Sequence, residues 1–388
     1  MSSAPVQPSQ RIQYLDVIRG FAITGVLFAY VFWNLGNEPS TAYSVFDNIV
    51  NQAGYFLVDS KCYTILATLF SLGFVLHMHK TNDKARSLYT YRKRLLGLFI
   101  LGTLHAVVLR NGDILAPYAI TAFIMTFLYQ SSKSTIIFCM IILFLMSALM
   151  PQAWHSIGLS FPQRPAAQTN YWVENFAWLK YWYKTSIFFW ETTLFLLLAG
   201  LLIGRVFIQK KKILSNGKIT FIGISGLVAG VFSYLVMTFY KQEIASLPDI
   251  GNTVIVRSTF YNLLDIMHKI GMASSYACIL YFLSQKFKLA VLANLGRMSL
   301  TNYVLQAAVV VPVCLLFNLF DHITPTIALV MTVAIWIMQV ALSQWWLKQY
   351  RFGPLEWLLR KFTYGKAIVV KKQEEPPAWA TAPVIAQK

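Results

Sequence analysis

Residues 15–35 read Leu15-Asp16-Val17-Ile18-Arg19-Gly20-Phe21-Ala22-Ile23-Thr24-Gly25-Val26-Leu27-Phe28-Ala29-Tyr30-Val31-Phe32-Trp33-Asn34-Leu35. Two charges stand at the start of the stretch and none follows. A helix needs about 20 mostly apolar residues to cross the hydrocarbon core of a bilayer, so this one is long enough to span. Asp16 and Arg19 are three apart, share a helical face and can pair. A charge pair near a helix end is cheap there, because the side chains reach the interface. The run carries no clear small-residue cleavage site, so a retained signal-anchor helix is expected.

Nine further segments have the same character: Leu57–His77, Leu95–Leu109, Ile114–Leu128, Ser134–Trp154, Thr185–Ile208, Ile219–Tyr240, Ile266–Leu283, Ser299–Leu319 and Thr326–Leu347. The expected fold is therefore all-α, a polytopic membrane protein with about ten transmembrane helices. It forms one membrane domain over residues 1–372, followed by a disordered cytoplasmic tail at 373–388. The third and fourth segments are short and separated only by Arg110-Asn111-Gly112-Asp113, which predicts a tight hairpin. Irregular backbone at such a turn must reach the interface or line a wet cavity.

Composition agrees. Of 388 residues 57% are hydrophobic and 12% charged, against roughly 25% charged in an ordinary soluble domain. The richness in large apolar side chains excludes disorder. The net charge of +18 invites a nucleic-acid reading, but the basic residues form no polar surface and lie in short clusters between apolar runs. With the N-terminus inside and ten spans, 24 of the 33 basic residues fall on one side. That is the positive-inside bias, and it predicts cytoplasmic termini. Residues 155–184 should form an outer loop whose aromatic part, from Tyr171 to Tyr183, lies at the headgroup level. The four cysteines fall in apolar segments and suggest no disulfide framework or metal site.

Ionisable groups inside spans carry the functional information, since each is costly unless paired or hydrated. His105 is the one histidine well inside an apolar helix, and imidazole is suited to moving protons near neutral pH. Asp113 would orient it if Gly112 bends the chain enough; otherwise His105 is polar glue between helices. Asp16 and Arg19 either neutralise each other or meet an anionic substrate group from the cytoplasm. Lys61 with Asp59 reads as a snorkelling pair at the outer end of the second span. Glu191 needs a partner such as Arg19 or Lys61, or a proton. Asp265 and His268 are three apart and suit a carboxylate–imidazole pair or a surface cap. No Walker loop or serine nucleophile elbow is present.

Several short motifs occur together. They are Arg11-Ile12-Gln13-Tyr14-Leu15-Asp16-Val17-Ile18-Arg19-Gly20-Phe21-Ala22, Lys61 with Leu69-Phe70-Ser71-Leu72-Gly73-Phe74, and Gly102-Thr103-Leu104-His105 with Gly112-Asp113-Ile114-Leu115 and Tyr118-Ala119. Gly296-Arg297-Met298-Ser299-Leu300-Thr301-Asn302-Tyr303 and Gly353-Pro354-Leu355-Glu356-Trp357 complete the set. In this order the chain resembles the YeiB-like bacterial membrane proteins, domain of unknown function 418, from Arg11 to about Lys366. The resemblance groups it with transmembrane acyltransferases of the lysosomal heparan acetyltransferase-like and sugar O-acyltransferase kinds. It implies a ten-helix core in the bacterial cytoplasmic membrane and transfer of an acyl group from cytoplasmic acyl-CoA to a sugar, lipid or envelope acceptor. Sugar O-acyltransferases use a histidine late in the first span, where this chain has Phe28-Ala29-Tyr30-Val31-Phe32-Trp33. The base would then be His105, oriented by Asp113, with Asp16, Arg19 and Lys61 as contacts for the acyl-CoA. The competing expectation is a small-molecule transporter whose polar path runs through His105, Asp113 and Glu191, with Asp265 and His268 as further members. Neither reading involves a metal or nucleic acid.

Overall fold

The computed structural model describes residues 13–35, 43–79, 82–109, 113–156, 170–186, 190–210, 215–243, 253–317, 319 and 323–365. The expected tail at 373–388, the turn residues 110–112 and the part of the outer loop at 157–169 lie outside them. Among the described residues there are fourteen helices. They are α1 (Gln13–Leu35), α2 (Val45–Leu57), α3 (Lys61–His79), α4 (Lys84–Val108), α5 (Leu115–Leu128), α6 (Lys133–Ser156), α7 (Tyr171–Ser186), α8 (Trp190–Lys210), α9 (Asn216–Glu243), α10 (Thr253–Lys286), α11 (Ala290–Arg297), α12 (Ser299–Leu316), α13 (Pro325–Gln349) and α14 (Pro354–Tyr364). Seven stretches are long and apolar enough to cross a membrane, with α2 and α3 counting together as one; α5 and Lys133–Leu149 are shorter apolar helices. With the apolar half of α4, these account for all ten segments read from the sequence. The chain is a polytopic, helical membrane protein.

Helix packing follows side-chain size. The largest core cluster joins α3, α4, α5, α6 and α8 through residues such as Phe74, Met78, Tyr91, Leu98, Met125 and Leu198. On α1, Gly20 faces Gly296 of α11. A Cβ at Gly20 would sit 1.8 Å from the Leu292 carbonyl oxygen, and one at Gly296 would sit 1.8 Å from that of Asp16. Only glycine permits so close a crossing. In contrast, α9 turns Phe221, Val228, Phe232, Leu235 and Phe239 outward. In water such a face would be a large exposed patch; in a bilayer it is the lipid-facing side.

Two joints were not expected from the apolar pattern. The first is a break between α2 and α3 at Val58-Asp59-Ser60, where Ser60 adopts φ 58°. A break inside a membrane segment frees carbonyls at the end of α2, and each needs a donor. Gly54 O accepts from the N–H groups of Val58 and Asp59, Tyr55 O from Lys61 Nζ, and Leu57 O from the Tyr276 hydroxyl.

The second joint is the start of α12, whose N-cap residue Met298 has no capping side chain. Glu356 of α14 supplies the cap. Its Oε1 accepts from Leu300 N at 2.6 Å and Thr301 N at 3.1 Å, and its Oε2 from the Thr301 hydroxyl at 2.6 Å. Leu355 N donates back to Thr301 Oγ1. Burial pushes the Glu356 carboxyl up from its ordinary range, while these donors pull it down. Between α12 and α13, Asn302 bonds Ser343, and Gln339 bonds the Asn302 carbonyl.

Candidate functional site

The site is built at the α4–α5 hairpin. On α4, Gly102 and His105 are three apart and face the start of α5. A Cβ at Gly102 would lie 2.3 Å from Asp113 Oδ2 and 2.6 Å from Ala116 N, so the hairpin closes only over a glycine. The α5 N-cap residue Ile114 has no capping side chain. Asp113 takes that role, with Oδ2 accepting from Ala116 N at 2.6 Å. Its other oxygen, Oδ1, lies 3.6 Å from His105 Nδ1. The Tyr303 hydroxyl of α12 donates to the same oxygen at 3.3 Å and itself accepts from Ile114 N at 3.1 Å. The His105 and Tyr303 rings are 5.0 Å apart between centroids.

His105, Asp113 and Tyr303 are all buried, and neither ring nitrogen of His105 has a hydrogen-bond partner. A buried polar group without a partner demands an explanation. At 3.6 Å the imidazole is just beyond a hydrogen bond with Asp113, and catalytic bonds are commonly long before substrate arrives. Tyr303 belongs to one of the motifs but was not among the sequence candidates. Its separation from Asp113 by 190 positions leaves no local signal.

The centre packs beside the middle of α1. Tyr303 clusters with Ile23 and Leu295, and Gln306 donates to the Ile23 carbonyl. Ile23 is ten residues along the 23-residue α1, roughly 15 Å from its start. The Asp113–Tyr303 contact therefore lies beside the middle of α1. Above it, α7 covers the carbonyl end of α4: Tyr171 donates to Val108 O, Asn175 to Val107 O, and Tyr183 bonds Thr103. Trp172, Val173 and Phe176 face outward from α7. The aromatic segment expected at the headgroup level is a helix packed on α4.

A second polar centre lies at the α2–α3 break. Lys61 is fully buried rather than snorkelling, with its ammonium on the Tyr55 carbonyl. Asp59 instead accepts from the Ser60 hydroxyl. Asp265 pairs with Lys269 at 2.5 Å and accepts from the Tyr55 hydroxyl at 3.3 Å. The i,i+4 lysine thus takes the carboxylate that the i,i+3 spacing offered to His268. His268 Nδ1 bonds Gly230 O at 2.9 Å, which makes Nδ1 the protonated nitrogen. Its Nε2 is buried without a partner, beside the Phe56 and Tyr234 rings.

The remaining candidates stay apart. Arg19 pairs with Asp16 at 3.0 Å in the first turns of α1. Glu191, in the first turn of α8, is buried with Oε2 lacking a hydrogen bond. Arg19 and Lys61, its expected partners, are engaged by Asp16 and Tyr55. Near Glu191, Thr193 bonds the Tyr63 hydroxyl, and Tyr118 donates to the Tyr63 carbonyl.

Residues 208–366 match the model of a family described as a protein of unknown function, DUF418. The YeiB protein of Escherichia coli strain K12 is 36% identical over 99 residues, 24% of this chain and 26% of the relative. The chain is similar to YeiB over that stretch, and its DUF418 match runs from the end of α8 to just past α14. Two relatives match over nearly their whole length. An uncharacterized 39.9 kDa protein encoded in an amylase 3′ region of Bacillus acidopullulyticus is 28% identical, covering 96% of this chain and 99% of the relative. The uncharacterized protein YxaH of Bacillus subtilis strain 168 is 25% identical, covering 94% and 96%. No solved structure matches. The stretch that matches DUF418 contains Tyr303, Thr301 and Glu356, whereas His105 and Asp113 precede it.

Proposed function

We propose that this protein is a membrane acyltransferase in which His105 is the general base. The observation that carries the reading is the buried His105–Asp113 pair, Nδ1 to Oδ1 at 3.6 Å, with Asp113 fixed by Ala116 N and Tyr303 and the imidazole Nε2 open to a new partner. A thioester is already activated, so the protein has to supply a base and a place for the tetrahedral oxyanion. His105 takes the proton of an acceptor hydroxyl as its oxygen attacks the thioester carbon. The C–S bond then breaks, and the imidazolium returns the proton to the leaving thiolate. Asp113 holds the imidazole in one tautomer and stabilises its charged form. Acyl-CoA as donor, and a sugar, lipid or envelope hydroxyl as acceptor, belong to this reading. So does a place in the bacterial cytoplasmic membrane with both termini inside, the orientation favoured by the basic clusters.

The purified protein titrated with acyl-CoAs of several chain lengths tests the donor. Saturable binding of at least one supports it, and binding of none overturns it. A transporter reading is favoured by one observation, the α2–α3 break with Lys61 buried in it. Discontinuous helices with polar groups at mid-depth are a transporter trait. Substrate flux into proteoliposomes without any acylated product would select that reading.

A further inference from the structure

Where α3 ends, α4 begins, α5 turns into α6 and α8 ends, the surface holds an open cleft of about 390 Å³. Lys84, Arg205 and His79 line it with Tyr129 and Gln130, none of its described lining residues is a carboxylate, and Val75 and Ile208 form an apolar floor. Both permanent cations are held in place by backbone. Arg205 donates from one terminal nitrogen to Ser131 O at 2.9 Å and from the other to Tyr129 O, and Lys84 donates to Met78 O at 2.7 Å. These carbonyls lie at or just beyond helix C-termini, where a cation is favoured, so capping alone accounts for the charges. Capping does not account for the apolar-floored space between them. A guanidinium has five N–H donors, and two bonds to carbonyls leave three.

We propose that this cleft binds the phosphate of an anionic amphiphile, with its acyl chain along Val75 and Ile208. The planar fork of an arginine suits phosphate oxygens, and an ammonium adds a point charge. Basic pockets between membrane helices are a recurring way to hold anionic head groups, and the volume falls within the range of small-ligand pockets. The phosphate can come from a bilayer lipid or from a soluble phosphate-bearing carrier. Binding here requires no chemistry at His105, so the proposal stands or falls apart from acyl transfer.

Native mass spectrometry of the detergent-purified chain, titrated with phosphatidylglycerol and with phosphatidylcholine of the same acyl chains, is the test. Preferential retention of phosphatidylglycerol is expected. Lys84→Gln should weaken it roughly fivefold, and Ile208→Trp should weaken it by filling the floor without removing a charge. Arg94→Gln, a basic residue outside the cleft, should leave it unchanged. Displacement of the lipid by coenzyme A would assign the cleft to a soluble carrier, and resistance to displacement would assign it to a bilayer lipid. Equal retention of the two lipids would overturn the proposal, as would equal losses for Arg94→Gln and Lys84→Gln.

Discussion

His105 meets a carboxylate inside the protein because one neighbour is small. Gly102 lets α5 come close enough to bring Asp113 under the imidazole, and Tyr303 closes the same oxygen from α12. Gly102→Ala would place a methyl group on Asp113 Oδ2. Overpacking of this kind costs about 1–3 kcal/mol, to be read as a lower unfolding midpoint in detergent, and it should push Asp113 away from His105. Tyr303→Phe keeps the ring and removes the hydroxyl, leaving Ile114 N and Asp113 short of a partner at about 1–3 kcal/mol. The fold should survive and any activity of the His105 centre should fall. His105 was legible as an ionisable group in an apolar helix. Its meeting with Asp113 was not, because eight positions do not align on a straight helix and the bend is a property of the turn. Tyr303 was wholly illegible as a partner, since the contact is made by tertiary packing alone.

At the level of helices, the unexpected features are devices for ending helices where no water is present. The break at Val58-Asp59-Ser60 has neither proline nor glycine, so it was not seen within the segment read from Leu57, and α2, with Asp47, Asn48, Asn51 and Gln52, was too polar to be counted. What marks the break is Lys61, whose ammonium replaces the donor lost by Tyr55 O. Lys61→Met should strand that carbonyl and leave Asp59 and Asp265 with one cation fewer. We expect a loss of about 1–3 kcal/mol in thermal unfolding, with Lys61→Arg partly rescuing it. The α12 cap is similar. Glu356→Ala should cost about 1–2 kcal/mol as α12 loses its first-turn partners, whereas Glu356→Gln should retain part of the cap. The motifs containing Thr301 and Glu356 were visible in the sequence as separate runs, and their purpose became visible only when α14 met α12. Short helices such as α11 and α14 escape the apolar count because they do not span.

For the whole molecule, periodicity and composition were sufficient for class: each apolar segment coincides with helix over most of its described length, and the outward face of α9 is what a bilayer requires. Depth was not readable, because an apolar run carries no mark of where its helix begins relative to its neighbours. The contact of Asp113 with Tyr303, beside Ile23 at the middle of α1, is of that kind. The orientation follows from charge sorting and has its own test. A tag at Lys388 should be protected in intact cells and exposed in inverted vesicles; the reverse would overturn the even-span arrangement. In the proposed reaction the buried histidine–carboxylate pair moves a proton during acyl transfer. That step is tested most directly by transfer from labelled acyl-CoA in proteoliposomes, comparing the unaltered chain with His105→Ala at matched unfolding midpoints. The account predicts labelled acceptor with the unaltered chain and none with His105→Ala. Equal turnover in the two would contradict it.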